Sequence, residues 1–354
     1  MYTVKEIDKL TDEQVVILKT SQISVDFTDT HSTRIILNFE PRHVIDWLRS
    51  IYHLATSRTI FIDNYYGFLA ATNFKKNVRC IQLWHAAGAI KQFGLHDPSI
   101  KKRSSRALTR FQKVYSHFDH VVVGSDKMAE IFQDSFGLPA ERMLRTGVPR
   151  TDFFFDEENI NKVVRTMQND FPIIKEKKVI LYAPTFRDDE LDEVKIALQV
   201  DMLYRTLRQH YVLFIKLHPA INGHFQNKYP GFSYNVSEKY SINHLLTVTD
   251  ILITDYSSIP FEFAFLQKPM IFFAYDLEKY AETRGFWQKY ETLVPGPVVH
   301  TTTDIIRVIQ ENTFDMERIR AFAEDWNKYS KGNASELLVK SIYNLEQPLY
   351  NPQQ

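Results

Sequence analysis

Cysteine is almost missing from this chain: Cys80 is the only one in 354 residues. That excludes an internal disulfide framework and a cysteine-rich zinc site, and it suits a reducing compartment, by default the cytoplasm. Net charge is missing as well, because 43 Lys plus Arg balance 43 Asp plus Glu. A chain without a net field does not hold polyanions indiscriminately, so nucleic acid is not an expected partner. No stretch reaches about 18 consecutive apolar residues, and the charged start MYTVKEIDKLTDEQ lacks the apolar centre of a signal peptide. The chain is therefore expected neither to enter nor to cross a bilayer, although it can lie on one. Internal repeats, low-complexity tracts and a glycine-rich phosphate loop are also lacking.

What is present is a globular composition, 44% hydrophobic, in a chain long enough for two domains. Short β-branched runs alternate with helical periodicity. Strands are expected at 34–39, 59–63, 80–83 and 120–124, and Val44, Trp47, Leu48, Ile51 and Leu54 mark the apolar face of a helix. Ser125 and Asp126 follow the fourth strand as helix caps. After a charged stretch from Asp156 to Asn169 the rhythm restarts, with strands expected at 178–183, 211–216, 250–254 and 269–273. Two successive βα series predict an α/β chain of two doubly wound domains, with ligands at the carboxyl ends of the strands. The boundary is expected near 155–172, giving domains over 1–160 and 161–346 and a flexible tail over 347–354.

Polar residues stand at three strand ends. In Leu83-Trp84-His85-Ala86-Ala87-Gly88-Ala89 an apolar strand ends in a histidine, a general base with a suitable pKa, and in small residues that let a substrate approach the backbone. A satisfied core histidine is the plainer reading. In Lys216-Leu217-His218-Pro219, alternation puts Lys216 and His218 on one side, which suits a phosphate, against a surface lysine and a structural histidine. In Thr254-Asp255-Tyr256-Ser257-Ser258-Ile259-Pro260-Phe261-Glu262, adjacent serines open a helix and offer hydroxyls and backbone N–H groups to an anion, or simply cap it. Glu262 can accept hydrogen bonds from ligand hydroxyls or favour the helix dipole. Two Pro-containing turns, TGVPR and YAPTFR, each carry a nearby arginine, Arg150 and Arg187, the natural bidentate phosphate partner or simply a solvated surface residue, and neither turn is specific alone. Lys101, Lys102, Arg103, Arg106 and Arg110 form a basic cluster that could meet anionic head groups or a diphosphate-linked acceptor, or be a solvated helix face.

These motifs, in this order, resemble the CDP-glycerol glycerophosphotransferase family of Gram-positive bacteria. The resemblance runs from QLWHAAGAIKQFG through TGVPR, YAPTFRDDE and KLHP to ITDYSSIPFEFAFLQKPMIFFAYDLEKYAETRGF, roughly two-thirds of the chain, and leaves the first 80 residues unplaced. It implies a GT-B architecture, two Rossmann-like domains facing across a cleft, with an acceptor-side N-terminal domain and a CDP-glycerol-binding C-terminal one. It implies attack of an acceptor hydroxyl on the glycerol-bearing phosphorus of CDP-glycerol with release of CMP, and it makes His85 the base. The implied donor contacts are His85, Ala86, Ala87, Gly88, Ala89, Arg150, Pro184, Thr185, Lys216, Leu217, His218, Ser257, Ser258 and Glu262. After the histidine, polymerase-type members read like Gly-Thr-Pro-Leu-Lys-Lys and carry Asp in the serine helix. Here the loop reads Ala-Ala-Gly-Ala-Ile-Lys, which resembles the primase-type branch, and the helix carries Glu262, a longer carboxylate with a different reach to its partner.

That branch implies one glycerol phosphate added to the N-acetylmannosamine of an undecaprenyl-diphosphate-linked disaccharide, in wall teichoic acid synthesis, by a protein held peripherally at the cytoplasmic face of the membrane. No metal is demanded, since no His-x-x-x-His or paired-carboxylate set stands at the strand ends, and Mg²⁺ on the pyrophosphate would need few protein ligands. The rivals are a poly(glycerol phosphate) polymerase of the same family, a GT-B nucleotide-sugar glycosyltransferase and a non-catalytic membrane-surface scaffold. The glycosyltransferase reading is weakened because no two glutamates between Lys175 and His300 stand eight positions apart, as in many retaining members.

Overall fold

A computed structural model describes residues 1–21, 34–185, 187, 196–217 and 227–345. His218 and the tail over 347–354 lie outside the described residues. The chain divides into two compact units, and neither is continuous: one takes residues 1–85, 103–152 and 329–354, the other 86–102 and 153–328.

In the first unit β1 (Val16–Lys19) pairs in parallel with β2 (Ile35–Asn38). A separate parallel sheet holds β3 (Thr59–Ile62), β4 (Arg79–Gln82), β5 (His120–Val122) and β6 (Met143–Leu144) side by side in chain order. No reversal of strand order occurs in it among the described residues, whereas the βα rhythm alone predicts a doubly wound sheet. Its core joins Ile81 and Val122 to Leu338 and Ile342 of the helix Ala334–Tyr343. The buried Asp152 carboxylate fixes that helix by accepting from the N–H groups of Ala334 at 2.9 Å and Ser335 at 2.8 Å, supplying from far along the chain the acceptor that a helix start requires. Ser125 caps the helix Asp126–Phe136 as expected, accepting from Met128 N at 3.1 Å.

The helix Val44–Thr56 corrects an expectation. It forms, but Val44, Leu48 and Ile51 of its predicted core face are exposed, while Ser50 is buried and Trp47 and Leu54 half-buried. The helix lies against β2 of a two-stranded sheet, which is too narrow to cover both of its apolar sides.

In the second unit six parallel strands, β7 (Lys178–Ala183), β8 (Tyr211–Ile215), β9 (Ser233–Asn235), β10 (Ile251–Thr254), β11 (Met270–Phe273) and β12 (Val298–Val299), lie in the order β12-β11-β10-β7-β8-β9. Counted from β7 this is the Rossmann order, with its reversal between β7 and β10. Near-continuous apolar strands such as VILYA, VLFI and ILIT are what a parallel sheet covered on both faces requires. Ala183 stands opposite Thr254 in register, so the chain leaves β7 and β10 at one spot, where such sheets bind ligands. Residues 86–102 are stitched into this unit by a Lys91–Phe286 bridge and by Gln92 N donating to Gly285 O at 3.2 Å.

Candidate functional site

His85 follows β4 after two residues whose backbone sets its direction. Trp84 has φ 61°, the left-handed region that a large side chain enters only when its surroundings hold it there. Gln82, fully buried, accepts from Trp84 N at 2.9 Å through its side-chain oxygen and donates to Asn64 O at 3.1 Å. The Trp84 indole, wedged edge-on against Phe132 and Phe136, stacks on the His85 ring at 4.3 Å. Nδ1 of His85 meets the Asp63 carbonyl at 3.1 Å, and Arg150 donates to the carbonyl of His85 itself. A carbonyl only accepts, so Nδ1 carries the proton and Nε2 of the neutral ring keeps its lone pair. The side chain retains open surface, yet loss of hydration around the ring lowers its pKa; the Asp63 bond pulls it up and Arg150 pulls it down. Arg150 is expected from its turn to meet a phosphate. The structure sets its guanidinium on the backbone of the histidine loop.

These facts fix a pH dependence. A reaction in which Nε2 takes a proton is lost as pH falls through the folded-state pKa, and that pKa lies below the ordinary histidine value of about 6.5. The acid limb of kcat/KM is therefore expected below about 6.5; a limb centred at or above that value would contradict this assignment of the base.

Ala86, Ala87, Gly88 and Ala89 are buried rather than open to a substrate. A Cβ on Gly88 would stand 2.3 Å from the Phe261 ring, so the packing of this loop on the serine helix is what demands a glycine. The structure thus brings 86–89 to the helix Ile259–Phe263, and the sequence offered no sign of that pairing.

At the reversal between β7 and β10 the expected residues gather. Pro184 and Thr185 leave β7 half-buried, and Thr185 N donates to Asp255 Oδ1 at 2.8 Å. Asp255 leaves β10 and also accepts from Tyr256 N at 2.7 Å. Ser257 Oγ accepts from Ile259 N at 3.3 Å, whereas Ser258, at the cap position, makes no side-chain capping bond. A local turn bond to the N–H two residues on thus engages Ser257, and N-capping, the plainer reading of the pair, accounts for neither hydroxyl. Glu262 is 3% exposed, inside the helix.

Arg187 departs from expectation. Read as a phosphate arginine, it is 8% exposed and paired to protein carboxylates: Nε and Nη2 hold Asp276 in a fork at 2.9 and 3.0 Å, and Nη1 reaches Asp255 at 3.0 Å and the Thr185 carbonyl. Tyr256 donates to Asp276 at 2.9 Å, and Tyr256 and Tyr280 flank the guanidinium at 5.2 and 4.9 Å. Burial alone would lower the pKa of Arg187, but the hydrogen bond to Asp276 and the Asp255 charge raise it on balance. Sequence reasoning missed Asp255, Tyr256 and Asp276 as the frame of this site, although all three lie inside quoted motifs.

Lys216 directly follows β8, with its ammonium donating to the Tyr240 carbonyl at 2.8 Å and to that of Ser237, and desolvation lowers its pKa. Leu217 N donates to Ser237 Oγ at 2.9 Å. Lys101, Lys102, Arg103, Arg106 and Arg110 are all exposed, with Arg103 and Arg110 lying 5.3 and 5.7 Å from the Phe111 ring. Among the described residues, no group of three or more His, Cys, Asp or Glu side chains could hold a metal ion.

Comparison with known proteins bears on this arrangement. Teichoic acid glycerol-phosphate primase of Bacillus subtilis is 40% identical over 306 residues, covering 86% of this chain and 78% of that protein. Teichoic acid poly(ribitol-phosphate) polymerase of Bacillus spizizenii is 39% identical over 296 residues, which are 82% of this chain but 47% of the polymerase. Solved structures of the wall teichoic acid polymerase TagF share the fold, with a TM-score of 0.81 at 24% identity over 97% of this chain and 84% of theirs. Residues 19–344 match the family described as CDP-Glycerol:Poly(glycerophosphate) glycerophosphotransferase, so the likeness takes in most of the first 80 residues, which no motif had placed. The chain belongs to that family of glycerophosphotransferases.

Proposed function

We propose that the protein is a teichoic acid glycerol-phosphate primase, transferring one glycerol phosphate from CDP-glycerol to the N-acetylmannosamine of an undecaprenyl-diphosphate-linked disaccharide. The observation that carries the chemistry is the aim of His85, whose ring is fixed on one nitrogen and one face so that Nε2 is free to accept a proton. The likeness to the Bacillus subtilis primase and the Ala-Ala-Gly-Ala run after His85 favour the single addition.

An acceptor hydroxyl loses its proton to Nε2 as its oxygen bonds the glycerol-bearing phosphorus. The bond from that phosphorus to the bridging oxygen breaks, and CMP leaves with the electron pair. Phosphoryl transfer of this kind depends on positioning and on stabilising charge at the leaving group. We assign the charge to Lys216, His218, Ser257 and Ser258, and assign Pro184 and Thr185 to the nucleotide. Two carbonyls already hold the Lys216 ammonium, which fixes its position without neutralising it, as a preorganised cation requires. Arg150 acts on His85 from behind, through the peptide of that residue. The protein works as a GT-B transferase at the cytoplasmic face of the membrane, held peripherally; no helix among the described residues is long and apolar enough to cross it.

Incubation with excess CDP-glycerol and a lipid-linked disaccharide analogue, with CMP release and product mass read together, tests the reading. One added glycerol phosphate is expected. A ladder of products would transfer the protein to the polymerases, which the 39% identity to a polymerase keeps in view; no CMP release would reject the donor.

A further inference from the structure

Asp63 leaves β3 beside the point where the chain leaves β4 for His85, because the strands are parallel and Ile62 stands opposite Gln82 in register. The carbonyl of Asp63 holds Nδ1 of His85 at 3.1 Å. The carboxylate of the same residue supports no element. The short turn that follows, Gly67–Ala71, begins without a side-chain cap. Tyr66 donates to Oδ1 at 2.8 Å, and burial together with that bond raises the pKa of the phenol, which keeps it a donor. Oδ2 has no hydrogen-bond or ion-pair partner among the described residues, and the residue is exposed. The Met1 ammonium feels this charge from beyond ion-pair distance.

The loop that carries the carboxylate is fixed together with the loop of the base. Gln82 Nε2 donates to Asn64 O at 3.1 Å while its Oε1 accepts from Trp84 N, so one buried amide sets both exits. Asn64 Oδ1 accepts from Tyr65 N at 2.8 Å, and the Tyr65 ring packs on Phe111 and Tyr115 of the helix Ser105–Ser116, at 5.2 and 6.1 Å. A charged acceptor on a fixed loop, at the carboxyl end of a parallel strand and tied to a proton acceptor, is placed to orient a reactant.

Charge decides which reactant. A carboxylate repels phosphates and accepts hydrogen bonds, so its ligand is a neutral group rich in hydroxyls. The glycerol of the donor is a poor fit, because it hangs directly on a charged phosphate that the carboxylate would have to approach. The sugar of the acceptor carries no such charge at its reacting end. We propose that Asp63 is the residue that reads the acceptor sugar: Oδ2 accepts from the hydroxyl on the ring carbon next to the reacting one, which turns the attacking oxygen toward Nε2 of His85. The inference rests on the transferase reading above for the identity of the sugar, and on the loop geometry for the carboxylate.

The test is Asp63→Asn, which keeps the shape of the side chain and an oxygen for Tyr66, so that thermal unfolding is expected to match the wild type. Binding of a water-soluble N-acetylmannosamine–N-acetylglucosamine disaccharide is measured by titration, and kcat/KM for it at saturating CDP-glycerol. Both are expected to worsen about 10- to 100-fold, the loss of a hydrogen bond to a charged group, with the affinity for CDP-glycerol unchanged. Rates are compared above the acid limb, because the Asp63 charge raises the pKa of His85 and its removal moves that limb to lower pH. A disaccharide lacking the hydroxyl next to the reacting one is expected to lose the same factor on the wild type and nothing further on Asp63→Asn, a coupling that an effect exerted through His85 alone would not produce. Equal disaccharide affinity in variant and wild type would overturn the proposal, as would losses that multiply, a loss confined to CDP-glycerol, or a wild type that does not bind the disaccharide. Binding needs no turnover, so a wild type that holds the disaccharide through Asp63 and releases no CMP would reject the catalytic reading and leave this one standing.

Discussion

His85→Ala is expected to lower kcat/KM by about 10²–10⁴-fold, the usual contribution of a positioned general base, while the protein stays folded and still binds CDP-glycerol. Stability is spared because the side chain retains exposed surface and the bonds that shape its loop belong to neighbours: Gln82 holds Trp84 N, and Arg150 holds a main-chain oxygen that alanine keeps. The loss is expected mainly in kcat, since under the proposed role the imidazole takes a proton that moves only as the bond to phosphorus forms. Trp84 gives the assignment its geometry, because its strained backbone and its stacked ring aim the imidazole, and strain of this kind persists where neighbours over-determine it. CMP release by a folded His85→Ala protein at the wild-type rate would remove His85 from the reaction.

The sequence showed that residue but not its support. His85 is visible because an apolar run ends on it, whereas the Asp63 carbonyl and the left-handed Trp84 are properties of a folded backbone. The same divide runs through the fold. Runs such as VILYA and ILIT announce β7 and β10, but β6 and β12, of two residues each, are too short to show a period. The strand order that puts Ala183 beside Thr254 depends on crossovers that no local pattern records. Residues 86–102 and 329–345 join their units through contacts distant in sequence, among them Asp152 on the helix Ala334–Tyr343. The helix Val44–Thr56 was legible as a helix and misread as to its face, since hydropathy marks an apolar side without saying what will cover it.

Arg187 is the sharpest case of a residue whose type was legible and whose partner was not, and it carries the second large effect. Its two carboxylates lie 68 and 89 positions further along the chain, and they tie the exits of β7, β10 and β11 to one guanidinium. Arg187→Ala leaves Asp255 and Asp276 facing each other in a site with little water, a change expected to cost about 3–5 kcal/mol and, for a unit of this size, roughly 6–20 °C in Tm. Arg187→Lys is expected to recover little of this, because an ammonium cannot grip Asp276 in a fork while reaching Asp255. Function should fall by a different route. Arg187 stands behind the loops, and Thr185 and Tyr256 take their peptide orientation from the Asp255 it holds. Asp276→Asn, which keeps the shape but weakens the fork, is therefore expected to raise KM for CDP-glycerol more than it lowers kcat. Thermal unfolding of the three variants beside steady-state kinetics of Asp276→Asn separates the two effects. An Arg187→Ala protein that melts with the wild type would show that the buried pairs do not hold these loops, and an unchanged KM in Asp276→Asn would show that the loops do not hold the donor.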